Sequence, residues 1–209
     1  MTYLVNNLPI IANLFAETLR LTGISLFWAL VLALPVGVLL NRFSWLRGPV
    51  LGVLGVIYTI PSLSLLVLLI PLFGLGTLPA VIALVAYAQL VLVRNWLTGL
   101  TGIDPAIIEA AQGMGMNTWQ RFYKVELPLA LPLLLAGIRL ASISIIGIGT
   151  IAAFINAGGL GELLFQGVTT SNYSKILVGS LLVSLLALII NLALRALERR
   201  AEASIRGRE

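Results

Sequence analysis

The sequence predicts an all-α protein, a polytopic transmembrane helical bundle of about five spans. Of its 209 residues, 59% are apolar and 10% charged, and the mean hydropathy is +1.06, whereas soluble domains carry about 25% charge. Between Arg47 and Arg94 run 46 residues without a Lys, Arg, Asp or Glu, more than twice the ~20 that cross a bilayer. The basic residues segregate to alternate loops, as membrane topology requires. Cys and His are absent, which removes disulfides, thiol nucleophiles, imidazole bases and the usual zinc or haem ligands.

The elements follow in order. Residues 1–17 hold Glu17 but no Lys or Arg, and Asn6, Asn7, Pro9 and Asn13 interrupt the apolar runs. The basic start of a secretory signal is missing, and the segment reads as an outer amphipathic lead-in. Spans then run approximately from Thr18 to Leu40, Val50 to Phe73, Leu78 to Leu97, Leu129 to Ile155 and Ile176 to Leu197. Pro71, Gly74, Gly76 and Pro79 end one helix and begin the next, so spans two and three form a hairpin. Residues 198–209 read as a basic cytoplasmic tail. With no repeat and no low-complexity linker, residues 18–197 read as one membrane domain.

An odd number of spans puts the termini on opposite sides. Arg42, Arg47, Arg121, Lys124, Arg199, Arg200, Arg206 and Arg208 fall in loops on one side, against Lys175 on the other. The positive-inside rule then sets the N-terminus outside and the C-terminus in the cytoplasm. Topology and anionic headgroups explain the net charge of +5, so nucleic acid is not an expected partner.

The long inner loop, residues 98–128, reads as two short helices at an angle. Asp104 caps the first, with Pro105 at its first helical position. Ile107, Ile108 and Ala111 make an apolar face, and Gly113 and Gly115 stop the helix because a left-handed residue there is cheap only for Gly. Asn117 and Gln120 have capping-box spacing, followed by the bulky Trp119, Phe122 and Tyr123.

The same loop reads Glu109-Ala110-Ala111, three residues, Gly115, nine residues, Val125-Glu126-Leu127-Pro128. This resembles the EAA motif, Glu-Ala-Ala-x3-Gly-x9-Ile-x-Leu-Pro, of permease subunits of binding-protein-dependent ABC importers, with Val125 in place of Ile. The resemblance implies a type I importer permease fold in a bacterial or archaeal cytoplasmic membrane. It also implies a coupling loop, with Glu109, Ala110, Ala111, Gly115, Leu127 and Pro128 at the surface that meets a cytoplasmic ATPase. Further implied partners are a second permease chain, identical or homologous, and an external solute-binding protein. Thr59-Ile60-Pro61-Ser62-Leu63, Leu92-Val93-Arg94-Asn95, Gly113-Met114-Gly115-Met116 and Ala157-Gly158-Gly159-Leu160-Gly161 look like the osmoprotectant branch, whose substrates include glycine betaine, carnitine and choline. Methionine and sulfonate permeases share the general plan and stand as the alternative. The chain lacks the Gly-x4-Gly-Lys-Ser/Thr phosphate loop, so ATP is expected to be used by partner subunits, with no cofactor, metal or catalytic residue on this chain. A lipid-modifying enzyme lacks a catalytic constellation here, and a passive channel does not need the EAA spacing.

Several residues keep two readings. Pro61 breaks span two, with Thr59, Ser62 or Ser64 near the freed carbonyl; the break lines the pathway or is a packing kink. Tyr58 faces a quaternary ammonium through its ring or simply packs. Arg139, deep in span four, belongs to the pathway or snorkels to the inner headgroups. The segment after span four, with Gly158, Gly159, Gly161 and Glu162, forms an outer gate and binding-protein dock or a surface loop. Trp28, Trp45, Trp96 and Trp119 include interface anchors.

Overall fold

The computed structural model describes residues 7–206, and among them there is no strand. The helices are α1 (Leu8–Arg42), α2 (Arg47–Thr59), α3 (Ser62–Phe73), α4 (Thr77–Thr101), α5 (Pro105–Gly113), α6 (Thr118–Arg121), α7 (Leu127–Ala152), α8 (Gly161–Thr169) and α9 (Tyr173–Arg206). A π turn, Phe122–Glu126, joins α6 to α7. Helices α1, α4, α7 with its approach from Thr118, and α9 are each long and apolar enough to cross a membrane. Helices α2 and α3 pass that test only as a pair, bent by 95°.

The bent pair runs from one end of the bundle to the other. It starts beside the C-terminal end of α1, where Arg47 donates to the Leu40 and Asn41 carbonyls (2.9 and 3.2 Å). It finishes at the opposite end of the bundle, where the Gly76 N–H donates to the Ile155 carbonyl just past α7 (2.8 Å). Counted as one, the bent pair brings the candidate spans among the described residues to the five expected, but the second is not the single helix expected over Val50–Phe73. Pro61 has no N–H to continue the ladder, and Ile60 and Pro61 are both extended, at ψ 129° and 133°.

The ends of the chain also differ from expectation. From Leu8 onward the lead-in is the start of α1, because Ile11 and Leu14 bury in a cluster with Leu160, Leu163 and Leu186. Residues 198–206 continue α9 instead of forming a separate tail. Residues 1–6 and 207–209 of the two terminal segments lie outside the described residues. At 1.5 Å per residue, α1 and α9 are each ~50 Å long against a hydrocarbon layer of ~30 Å. Both therefore extend past it.

Helix α4 is the centre of the bundle, burying Ala80, Ala83, Leu84, Ala88 and Leu92 along one stripe. Its contacts are close because small residues oppose large ones. A Cβ at Gly37 of α1 would lie 2.2 Å from the Trp96 ring, and one at Gly137 of α7 would lie 2.8 Å from the Asn95 Cβ. Lipid tails are as apolar as the core, so this kind of contact, more than a hydrophobic drive, holds membrane helices together. Two side chains of α4 also donate to carbonyls of α1: Gln89 Nε2 to Ala29 (3.1 Å) and Trp96 Nε1 to Leu34 (3.1 Å). Of the four tryptophans expected to include interface anchors, Trp96 is a core residue, while Trp28, Trp45 and Trp119 are exposed.

Candidate coupling surface and pathway elements

The α5–α6 loop is assembled from local bonds. Asp104 Oδ1 accepts the Ala106 N–H (2.9 Å), and α5 starts on Pro105. The helix ends at Gly113, and Gly115 has a φ of +76°, the left-handed conformation that Gly adopts without a Cβ clash. Asn117 and Gln120 close the reciprocal capping box, with bonds of 2.9 and 3.1 Å. Arg121 Nε then pairs with Glu126 Oε1 across the π turn at 2.7 Å. The result is a small, self-capped projection.

Its surface is apolar in the wrong place for a free surface. Ile107 is 42% exposed, Met114 69%, Trp119 71% and Tyr123 59%, with the Trp119 and Tyr123 rings stacked. Large apolar side chains gathered on a polar loop mark an interaction surface. Ala110 and Gly115 are exposed, and nothing lies within 4 Å of a Cβ built on Gly115, so both backbones are approachable. Ala111 is buried to 1% and packs inward. Glu109 lines a cleft of about 560 Å³ together with Arg47, Arg121 and Glu126. Leu127 and Pro128, half-buried, begin α7.

The span-two residues group around the break. The Tyr87 hydroxyl of α4 donates to the Ile60 carbonyl that the break frees, and its ring meets Tyr58 edge-on. Thr59 donates to its own helix, at the Val56 carbonyl (2.7 Å). Tyr58, Thr59 and Pro61 are exposed and Ser62 is half-buried. Arg139 is paired across helices: its guanidinium meets Glu198 Oε2 at 2.9 Å and Asn191 Oδ1 at 3.3 Å, tying α7 to α9.

At the other end of the bundle, the glycine-rich loop is pinned. Gly158 and Gly159 have φ of +83° and +86°, which turns successive N–H groups toward α1. Gly159 N–H donates to Glu17 Oε2 (2.8 Å) and Leu160 N–H to Thr18 Oγ1 (2.9 Å). Gly161 lies so close to α7 that a Cβ would sit 2.1 Å from the Thr150 carbonyl oxygen. Glu162 opens α8 in its first turn, where the helix dipole favours an acid.

Tyr87, Glu17, Thr18 and Glu198 had not stood out as site residues. The available signals were thin: a hydroxyl inside the charge-free run, an acid heading an apolar helix, and an acid among arginines.

Comparison with known proteins adds to this geometry. The chain is 41% identical over 201 residues to the osmoprotectant import permease protein OsmW of Salmonella typhimurium, covering 94% of each chain. It is likewise 41% identical over 191 residues to the carnitine transport permease protein OpuCB of Listeria monocytogenes, covering 90% of this chain and 88% of that one. Among solved structures, an inward-facing form of the MetNI methionine ABC transporter superposes with a TM-score of 0.81 at 28% identity, over 91% of this chain and 95% of that one. A family model for the inner membrane component of binding-protein-dependent transport systems matches residues 25–203. The bent second span, the self-capped loop and these matches agree: the chain is a multi-pass membrane permease belonging to the family of binding-protein-dependent transport system inner membrane components.

Proposed function

We propose that this chain forms half of the path of an ATP-driven importer for small osmoprotectants such as glycine betaine, carnitine or choline. The observation that carries the substrate class is the 41% identity to OsmW over 94% of both chains, well above the 28% to the methionine transporter permease. The path needs a second permease chain, identical or homologous. The α5–α6 projection docks into a cytoplasmic ATPase through Glu109, Ala110, Gly115, Met114 and Trp119. ATP-driven closure of two ATPases draws the projections together, and the spans switch between outward and inward access. An external binding protein delivers solute to the Gly158–Glu162 end. The bend at Pro61 places hydroxyl and aromatic groups beside an interrupted helix, as transporter paths commonly do. Arg139 is neutralised by Glu198, which suits a neutral or zwitterionic solute.

Vesicles holding the complete complex test this reading. They should accumulate glycine betaine, carnitine or choline only with internal ATP and the binding protein. Import of methionine or a sulfonate with every betaine ignored would overturn the substrate class, and equal leakage without ATP would overturn the coupling.

Orientation has its own test in a chain that lacks Cys. A Cys at Asn172 should label from outside, and one at Gln112 only after permeabilisation; the reverse pattern would invert the topology.

A further inference from the structure

The last turns of α1 and the first of α7 do not close on each other. Between them, over the Trp96 floor, lies a groove of about 1240 Å³. Its walls are Leu34, Pro35, Val38 and Leu39 from α1 and Leu127 and Leu134 from α7. Trp96 keeps it open from below, since its ring fills the space above Gly37 and its N–H is held by Leu34. From Leu34 to Arg42 the wall rises ~12 Å along α1 at helical pitch. An apolar trench of that depth, open at the rim, offers the upper part of an acyl chain a matching wall and a polar solute no hydrogen-bond partner along it.

The mouth carries a different chemistry. Arg42, Arg121, Glu126 and Trp119 line it. Arg121 and Glu126 neutralise each other at 2.7 Å. Arg42 is exposed, lies 6.0 Å from the Phe43 ring centroid, and has no carboxylate partner among the described residues. One unmatched guanidinium at the mouth, above an apolar trench, fits a phosphate headgroup with its tail below.

We propose that this groove binds an anionic phospholipid of the cytoplasmic leaflet. The leaflet assignment rests on the orientation proposed above; the groove itself does not. A soluble partner reaches the Trp119 rim but not Leu34 or Leu134, which lie inside the spans.

The full chain in phosphatidylcholine nanodiscs, doped with phosphatidylglycerol bearing a photoreactive acyl chain, provides the test. Labelled peptides should concentrate at residues 34–39 and 127–134. Excess unlabelled phosphatidylglycerol should compete and phosphatidylcholine should not. R42Q should weaken competition about fivefold, the factor one surface cation contributes to anionic-membrane attraction. V38W should abolish groove labelling while helicity is kept.

Label spread equally over the exposed α9 residues Leu181, Leu185 and Leu188, without headgroup preference, would show ordinary annular lipid and overturn the proposal. Competition by millimolar inorganic phosphate would reduce the site to a headgroup-only anion site. Exclusion of the lipid by added ATPase subunit would assign the groove to that partner. Because labelling is read without transport, its failure is separable from failure of the importer reading.

Discussion

The two ends of the bundle are built in opposite ways. The α5–α6 projection is held by bonds between residues two to five apart: Asp104 to Ala106, Asn117 to Gln120, Arg121 to Glu126. The glycine loop at the other end is held by residues 142 positions away, Glu17 and Thr18, and by Gly76 from the α3–α4 turn. A locally capped element keeps its shape when its surroundings shift. One pinned by α1 and α7 moves only with them. The difference teaches that the end proposed to transmit force owes its shape to its own residues, while the end proposed to receive solute owes its shape to two spans.

Substitutions can break or sharpen that contrast. The largest effect is expected for Gly161→Val: its Cβ would meet the Thr150 carbonyl oxygen, a backbone atom that cannot swing away, so about 3 kcal/mol or more should be lost. Yield of folded protein in detergent, by size-exclusion profile, checks it. Next comes Glu17→Ala, which strands the Gly159 N–H and should cost about 1–3 kcal/mol. Hydrogen exchange should rise at residues 158–160 and stay unchanged in α5; a uniform rise would mean that the two ends are coupled. Gly115→Val places a β-branched residue at positive φ, an expected cost of about 1–2 kcal/mol confined to the projection. Insertion and melting temperature should be nearly kept while ATP-driven uptake falls sharply, and normal uptake would remove the loop from the coupling role. Asn117→Ala should be mildest, about 1 kcal/mol of lost cap, seen as faster exchange in α6 alone.

The same contrast explains what could be read from the sequence. Caps and helix stops in the projection depend on neighbours in the chain, so Asp104, Pro105, Asn117 and Gln120 announced their conformations. The five crossings were legible because lipid demands apolar length. The bend at Pro61 was visible as a broken bond, but not its 95° angle, which depends on how α4 receives it. Glu17, Thr18, Glu198 and Tyr87 were silent because each acts on a backbone group or partner far away in the chain. Which of the four tryptophans was a core residue was not legible, because Gly37, the space the Trp96 ring occupies, is far away in sequence.

The break in span two bears on how the protein is made. Helices α2 and α3 have 13 and 12 residues, or ~20 Å each at helical pitch, too short to cross ~30 Å of hydrocarbon alone. As the chain leaves the ribosome, the Ile60 carbonyl enters the insertion machinery without the hydroxyl that will satisfy it. Tyr87 is synthesised 27 residues later, on the order of one to five seconds at ~5–20 residues per second. Until Tyr87 arrives the joint at Ile60 lacks the hydroxyl that caps it in the finished fold, so span two is completed by a helix made after it.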